Sequence, residues 1–133
     1  MDRDLAAGAL AERVQASLTR TAKVVMPGIT NNYNTLYGGT LLGWMDEIAA
    51  ITAARFGRCL FVTASLDRTD FHHPIPAGAI VELVGRVTRL GRTSLQVTVE
   101  VQIEHLNDRL HAVTGLFTMV AIGEDKRPVP IVV

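Results

Sequence analysis

The stretch Gly39-Thr-Leu-Leu-Gly-Trp-Met-Asp-Glu-Ile-Ala-Ala-Ile-Thr-Ala-Ala-Arg55 decides how the rest of the chain is read. On a helix turning about 100° per residue, Leu41, Leu42, Trp44, Met45, Ile48 and Ile51 fall over most of the circumference, so this helix is expected to be buried with no wide face for solvent. Two adjacent carboxylates, Asp46 and Glu47, interrupt the run. The residues three, four and seven positions from Asp46 include Gly43, Ala49, Ala50 and Ala53, mostly small, so its side chain has room to face a cleft. Burial disfavours the charged form of a carboxylate, which suits a general base.

Gly38-Gly39 opens the helix, and Arg55 with Gly57 supplies its stop signals. Before it, residues 15–26 read as a strand that ends in the Met26-Pro27-Gly28 turn, and residues 29–37 read as a loop with three asparagines. After it, residues 60–71, 80–90, 94–105 and 110–122 are rich in Val, Ile, Thr and Leu and read as strands. Leu95, Val97, Val99, Val101 and Ile103 alternate with Gln96, Thr98, Glu100, Gln102 and Glu104, so one face of that strand is wet. Short connections at residues 90–93 and 107–109 make the last three strands an antiparallel meander. A helix without a polar face and about five antiparallel strands bury one another if the sheet wraps the helix, an α+β architecture; a two-layer sandwich with a peripheral helix is the alternative. The last strand, apolar on both faces, points to packing against another subunit.

The chain has 133 residues, 48% hydrophobic and 20% charged, enough for one domain with a core of its own. We divide it into an extension over residues 1–13, a domain over 14–123 and a tail over 124–133. Thirteen Lys plus Arg balance thirteen Asp plus Glu, with no basic run, so nucleic acid is not an expected partner. Asp2, Asp4 and Glu12 break any signal-peptide pattern, and no stretch reaches the roughly 20 apolar residues that span a bilayer, so a soluble cytoplasmic protein without membrane partners is expected. The single cysteine, Cys59, makes no internal disulfide.

The segment Asn31-Asn-Tyr-Asn-Thr-Leu-Tyr-Gly-Gly-Thr40, followed by Gly43-Trp-Met-Asp-Glu47, resembles the acyl-CoA thioesterases of the hotdog fold, in the branch of YciA-like and animal cytosolic acyl-CoA hydrolases. Val62-Thr-Ala-Ser-Leu-Asp67, Phe71-His-His-Pro-Ile-Pro-Ala-Gly78, Val81-Glu-Leu-Val-Gly-Arg-Val87 and Gly91-Arg-Thr-Ser94 continue the resemblance in order. It implies a hotdog fold, a long helix wrapped by an antiparallel sheet, and hydrolysis of acyl-CoA to a free carboxylic acid and coenzyme A. It also implies that Asp46 is the catalytic acid group and Asn31 its partner, contributed by opposite protomers of a dimer. The dimers are expected to assemble further as a trimer of dimers, a hexamer. Asn34 stands where the family usually has glycine, and Ile29 where it often has an acidic residue; asparagine tolerates positive φ, so the turn is expected to survive.

A thioester carbonyl attacked by water needs a proton acceptor, an orienting group and donors toward the oxyanion. Asp46 suits the first role, as base or, alternatively, as nucleophile forming an anhydride. Asn31 can donate and accept, and so can orient the water or the thioester. Free amides at Gly38 and Gly39 suit the oxyanion. Read alone, Asp46 and Glu47 are a buried structural pair with a cation such as Arg68, Gly38-Gly39 a turn, and Asn31 a loop cap. Arg92, Thr93 and Ser94 offer a cation and two hydroxyls at a hairpin, suited on the resemblance to the phosphates of coenzyme A. The four histidines show no zinc spacing: His72 and His73 face opposite ways on a strand, and His105 and His111 flank a hairpin and are expected to be exposed. No metal and no cofactor is expected, coenzyme A thioester being the substrate. The competing readings are a noncatalytic module that senses acyl-CoA, and a hydratase, which would want a histidine facing the carboxylate.

Overall fold

In the computed structural model residues 3–105 and 108–133 are described, and they form α1 (Gly8–Ser17), β1 (Thr19–Val24), α2 (Gly38–Gly57), β2 (Leu60–Phe71), β3 (Ile80–Leu90), β4 (Ser94–His105) and β5 (Asp108–Ile122). The five strands make one sheet in the order β1-β3-β4-β5-β2, every neighbour antiparallel. β3, β4 and β5 are the expected meander, with Leu95, Val97, Val99, Val101 and Ile103 all buried on one face. They pack with Val81, Leu83, Val87, Phe117 and Met119 against Leu41, Met45, Ile48, Ala49, Ala53 and Phe56 of α2, so the sheet wraps the helix. β5 begins at Asp108, so Asp108 and Arg109, expected in the connection over residues 107–109, pair with β4 instead; residue 107 of that connection and the His105 side chain lie outside the described residues.

Two glycines let helix and sheet meet closely. A Cβ at Gly85 would lie 2.5 Å from the Thr52 hydroxyl oxygen and 2.7 Å from Cγ2 of Ile48, and one at Gly115 would lie 2.7 Å from Cε of Met45. Around Gly85 the buried Thr52 hydroxyl donates to the Ile48 carbonyl at 2.7 Å and meets the Thr19 hydroxyl at 3.0 Å, tying β1 to α2. Gly85→Ala is expected to cost about 1–3 kcal/mol through overpacking. Denaturant midpoints measured at one fixed protein concentration check this, and an unchanged midpoint would contradict the packing.

The structure corrects other parts of the sequence reading as well. Residues 15–17, expected in the first strand, finish α1, where Val14 and Ser17 are buried and the Ser17 hydroxyl donates to the Val14 carbonyl. The helix α2 does show an open face: Gly39, Gly43, Glu47, Ile51, Ala54 and Arg55 form an exposed stripe, with Ile51 42% exposed. The reason is that one five-stranded sheet covers only part of a helix circumference. Trp44, expected in the core, is only partly buried, its ring lying 5.1 Å from the Lys23 ammonium, whereas Met45 is fully buried.

β2 is one edge of the sheet, and among the described residues it pairs with β5 alone. Its pairing slips between Thr63 and Ser65 and again between Leu66 and Arg68, and apolar Leu60, Val62, Leu66 and Phe71 are exposed along it. A long apolar edge with free backbone groups is a template for another strand. No helix among the described residues is long and apolar enough to cross a membrane.

Candidate active site

The open face of α2 leads from the helix start to Asp46. Gly39, Gly43, Asp46 and Ala50 lie within about 60° of one another around the axis, and Gly39 and Asp46 are roughly 10 Å apart along it. Nothing stands within 4 Å of the position a Cβ would take at Gly39 or Gly43, so the floor between them is open. Asp46 is half-buried at the far end of this floor.

A residue that the sequence reading left without a role holds Asp46 in place. The Thr63 hydroxyl donates to Oδ1 of Asp46 at 2.6 Å. Thr63 lies opposite Met119, and Met119 opposite Leu95; both partners are buried on the helix side of the sheet, so the same side of β2 aims Thr63 at α2. That leaves Oδ2 for a water or a substrate. Arg68, the cation proposed for the purely structural reading, pairs instead with Asp70 at 2.8 Å, and Glu47 is exposed.

Asn31 sits in the loop before α2. Its Oδ1 accepts from the Tyr33 amide at 2.9 Å, the Thr35 amide at 3.1 Å and the Thr35 hydroxyl at 3.0 Å. Three donors on one oxygen fix which end of the amide is which, since backbone N–H groups need an acceptor. The side-chain oxygen is therefore committed to the loop, and Nδ2 alone is left to act outward as a donor. This narrows the expected role of Asn31 from donor and acceptor to donor. The turn closes through Asn34, whose φ of 63° is the positive value that asparagine was expected to tolerate. The loop is braced from below: the Leu36 amide donates to the Ile75 carbonyl and the Ala77 amide to the Asn34 carbonyl.

Gly38 and Gly39 begin α2 as expected, and no side chain caps the helix among the described residues, so its first amides point outward. Beside Gly38 lies a small, mainly apolar cavity of about 110 Å³, lined by Leu36, Leu41, Phe71, Ile75 and Val113, with His73 at its wall. Phe71 ends β2 and His73 lies in the bend just after it, and neither carried a local signal for this location. Among the described residues no hydrogen bond links Asn31 to Asp46 within one protomer: the Asn31 oxygen is held by its own loop and the Asp46 carboxylate by Thr63 of β2.

Arg92, Thr93 and Ser94 form the turn between β3 and β4, closed by the Gly91 amide on the Ser94 carbonyl at 2.8 Å. A cleft of about 410 Å³ opens beside it, lined by Arg89, Gly91, Ser94, Gln96, Thr118 and Asp67. Hydrogen bonds from the Ser65 and Thr118 hydroxyls hold the Asp67 carboxyl below the usual carboxylate range. Elsewhere, His111 is half-buried rather than exposed: its Nε2 meets the Thr114 hydroxyl at 2.6 Å and its ring lies 5.3 Å from that of His72, because the β2–β5 pairing brings the two strand ends together.

Comparison with known proteins places this geometry. The model of the thioesterase superfamily matches residues 33–108. The uncharacterized acyl-CoA thioester hydrolase YkhA of Bacillus subtilis is 42% identical over 119 residues, covering 88% of this chain and 69% of the relative. The acyl-CoA hydrolase of Staphylococcus aureus, solved with butyryl coenzyme A, coenzyme A and coenzyme A disulfide, superposes with a TM-score of 0.87 at 35% identity, covering 89% of this chain and 73% of that one. An apo-hexameric acyl-CoA thioesterase superposes with a TM-score of 0.85 at 39% identity over 89% and 77% of the two chains. The Staphylococcus aureus hydrolase has also been solved with an asparagine, an aspartate or a threonine replaced by alanine, three residues with the same sequence spacings as Asn31, Asp46 and Thr63 here.

Proposed function

This chain belongs to the thioesterase superfamily, and from that premise we propose that it is a cytoplasmic homo-oligomeric enzyme that hydrolyses acyl-CoA to a free carboxylic acid and coenzyme A, with Asp46 as its general base. The observation that carries the reading is the half-buried Asp46 carboxylate, fixed by Thr63 at the end of an open floor that starts at uncapped helix amides.

The chemistry follows from these positions. A thioester laid along the floor has its carbonyl oxygen toward the donors, the Gly38 and Gly39 amides and Nδ2 of Asn31. Oδ2 of Asp46 takes a proton from water as the water oxygen attacks the carbonyl carbon. The tetrahedral oxyanion is stabilised by the amide donors and the positive end of the helix dipole. It collapses with cleavage of the carbon–sulfur bond, and the proton held by Asp46 passes to the departing thiolate. Arg92, Thr93 and Ser94 hold coenzyme A phosphate oxygens through charge-assisted hydrogen bonds.

Self-association completes the site in this reading. The exposed stripe of α2 and the edge strand β2, whose Thr63 reaches Asp46, are both left open, and a second copy set on them brings its Asn31 loop toward Asp46 of the first. Hexameric relatives favour a trimer of such dimers.

Thr63 then orients the base. Thr63→Ala is expected to lower kcat about tenfold with little change in KM, the loss of one hydrogen bond to a charged group. Steady-state rates of thiol release from an acyl-CoA panel check this, and an unchanged kcat would remove Thr63 from the mechanism.

A further inference from the structure

We propose that residues 128–132 are a positioning strap for the turn that carries Arg92, with Ile131 as the residue that aims its anion-binding amide. The inference rests on the reading of Arg92, Thr93 and Ser94 as the phosphate site and goes beyond it by saying what shapes that site.

After β5 the chain reverses in a tight turn, the Gly123 amide donating to the Arg127 carbonyl and the Lys126 amide to the Gly123 carbonyl, both at 2.9 Å. It then runs back across the end of the sheet. The Val129 amide donates to the Ala121 carbonyl at 2.9 Å, and Ile131, only 3% exposed, donates its amide to the Arg92 carbonyl at 2.8 Å. The far end is fastened by Arg13, whose guanidinium donates to the Val132 carbonyl at 3.0 Å and also to the Phe56 carbonyl at the end of α2.

The bond to Arg92 has a directional consequence. A trans peptide is planar, so the carbonyl of one residue and the amide of the next point opposite ways. Drawing the Arg92 carbonyl toward the strap therefore turns the Thr93 amide away from it. Other carbonyls of the turn are also occupied: Leu90 accepts from the Arg3 amide at 3.0 Å, Thr93 from the Ala121 amide at 2.9 Å and Ser94 from Gly91. Among the described residues no acceptor meets the amides of Arg92 or Thr93. A turn whose carbonyls are tied inward and whose amides are left outward can cradle an anion, and the same turn carries the exposed Arg92 and leads into Ser94, which lines the adjoining cleft. Free rotation of the Arg92–Thr93 peptide would put a carbonyl dipole where the phosphate binds.

The test compares two substrates with the same acyl group, butyryl-CoA and S-butyrylpantetheine, which lacks the phosphates. Ile131→Pro removes the donating N–H, Ile131→Ala keeps it but removes the burial, and Ile131→Val keeps both. Ile131→Pro is expected to raise KM for butyryl-CoA about tenfold, Ile131→Ala by less, and Ile131→Val hardly at all, with kcat held and the KM for S-butyrylpantetheine unmoved in every case. Equal losses on both substrates would show that the strap only stabilises the fold, and an unchanged KM for butyryl-CoA in both Ile131→Pro and Ile131→Ala would also overturn the proposal. Arg92→Ala separates this from the underlying reading. If it raises KM while the Ile131 variants do not, the strap alone is wrong; if it also leaves KM unchanged, the phosphate assignment falls and the strap with it.

Discussion

Asp46→Asn is expected to lower kcat for acyl-CoA hydrolysis by roughly 10²–10⁴-fold, the range that a positioned general base contributes. Asparagine is the informative replacement because it keeps the shape of the side chain and an oxygen for the Thr63 hydroxyl, which donates to Oδ1 at 2.6 Å in the parent. Fold, groove and helix start are then retained, and only the ability to take a proton is lost. KM should change little, since the carboxylate is not assigned to holding the substrate. Thiol release followed at saturating substrate, with thermal melting beside it, measures both parts. Turnover within fivefold of the parent in a variant that melts normally would remove the carboxylate from the chemistry and revive the acyl-CoA sensor as the reading. The base and nucleophile alternatives both lose activity in this variant, and a single turnover of the parent in ¹⁸O-labelled water tests for the nucleophile: label incorporated into Asp46 requires an anhydride opened at the aspartyl carbonyl, whereas label confined to the released acid is given both by direct attack of water and by an anhydride opened at its acyl carbon, and trapping the anhydride with hydroxylamine as the acyl hydroxamate then decides.

How far the sequence could be read depended on whether the signal was local. The apolar run from Leu41 to Phe56 and the alternation from Ser94 to Ile103 are produced by burial of neighbouring residues, so α2 and the meander were legible. The start of β1 was not, because Gln15, Ala16 and Ser17 suit a helix end as well as a strand, and what decides between them is the burial of Val14 and Ser17 against the rest of the fold. Asp46 stood out as an acid in an apolar helix. Thr63 did not, since a threonine in a strand is ordinary; its role follows from a register that aims it at α2, and two irregularities in β2 pairing made that register unreadable in advance. The open stripe of α2 was hidden for a related reason. Ile51 reads as core, and it becomes exposed only because the sheet of one protomer stops short of it. Asn31 was legible as a polar loop residue, but that its oxygen serves the loop and only its nitrogen faces outward depends on the conformation of residues 33–35.

That last detail bears on the largest reversal to be expected from this protein. Asn31→Ala and Asp46→Ala should each be nearly inactive alone, the first for want of the donor and the second for want of the base. If Asn31 of one protomer serves Asp46 of the other, a mixed dimer carries one site with both defects and one with neither. Random reassembly of the two variants in equal amounts gives half mixed dimers, so activity should return to about a quarter of the parent value from two nearly inactive preparations. The Asn31 substitution also removes the acceptor for two amides and a hydroxyl, and Asn31→Asp, which keeps that acceptor but not the donor, is the companion that holds the loop in shape. Variants are mixed under denaturing conditions and refolded together, with each refolded alone as the reference. Recovery with either Asn31 variant would establish a site shared across the seam, as the separate bonding of Asn31 and Asp46 within one protomer suggests. No recovery, from preparations shown by mass to contain mixed dimers, would mean that loop and helix of the same chain close on one another, and the open face of α2 would then need a different occupant.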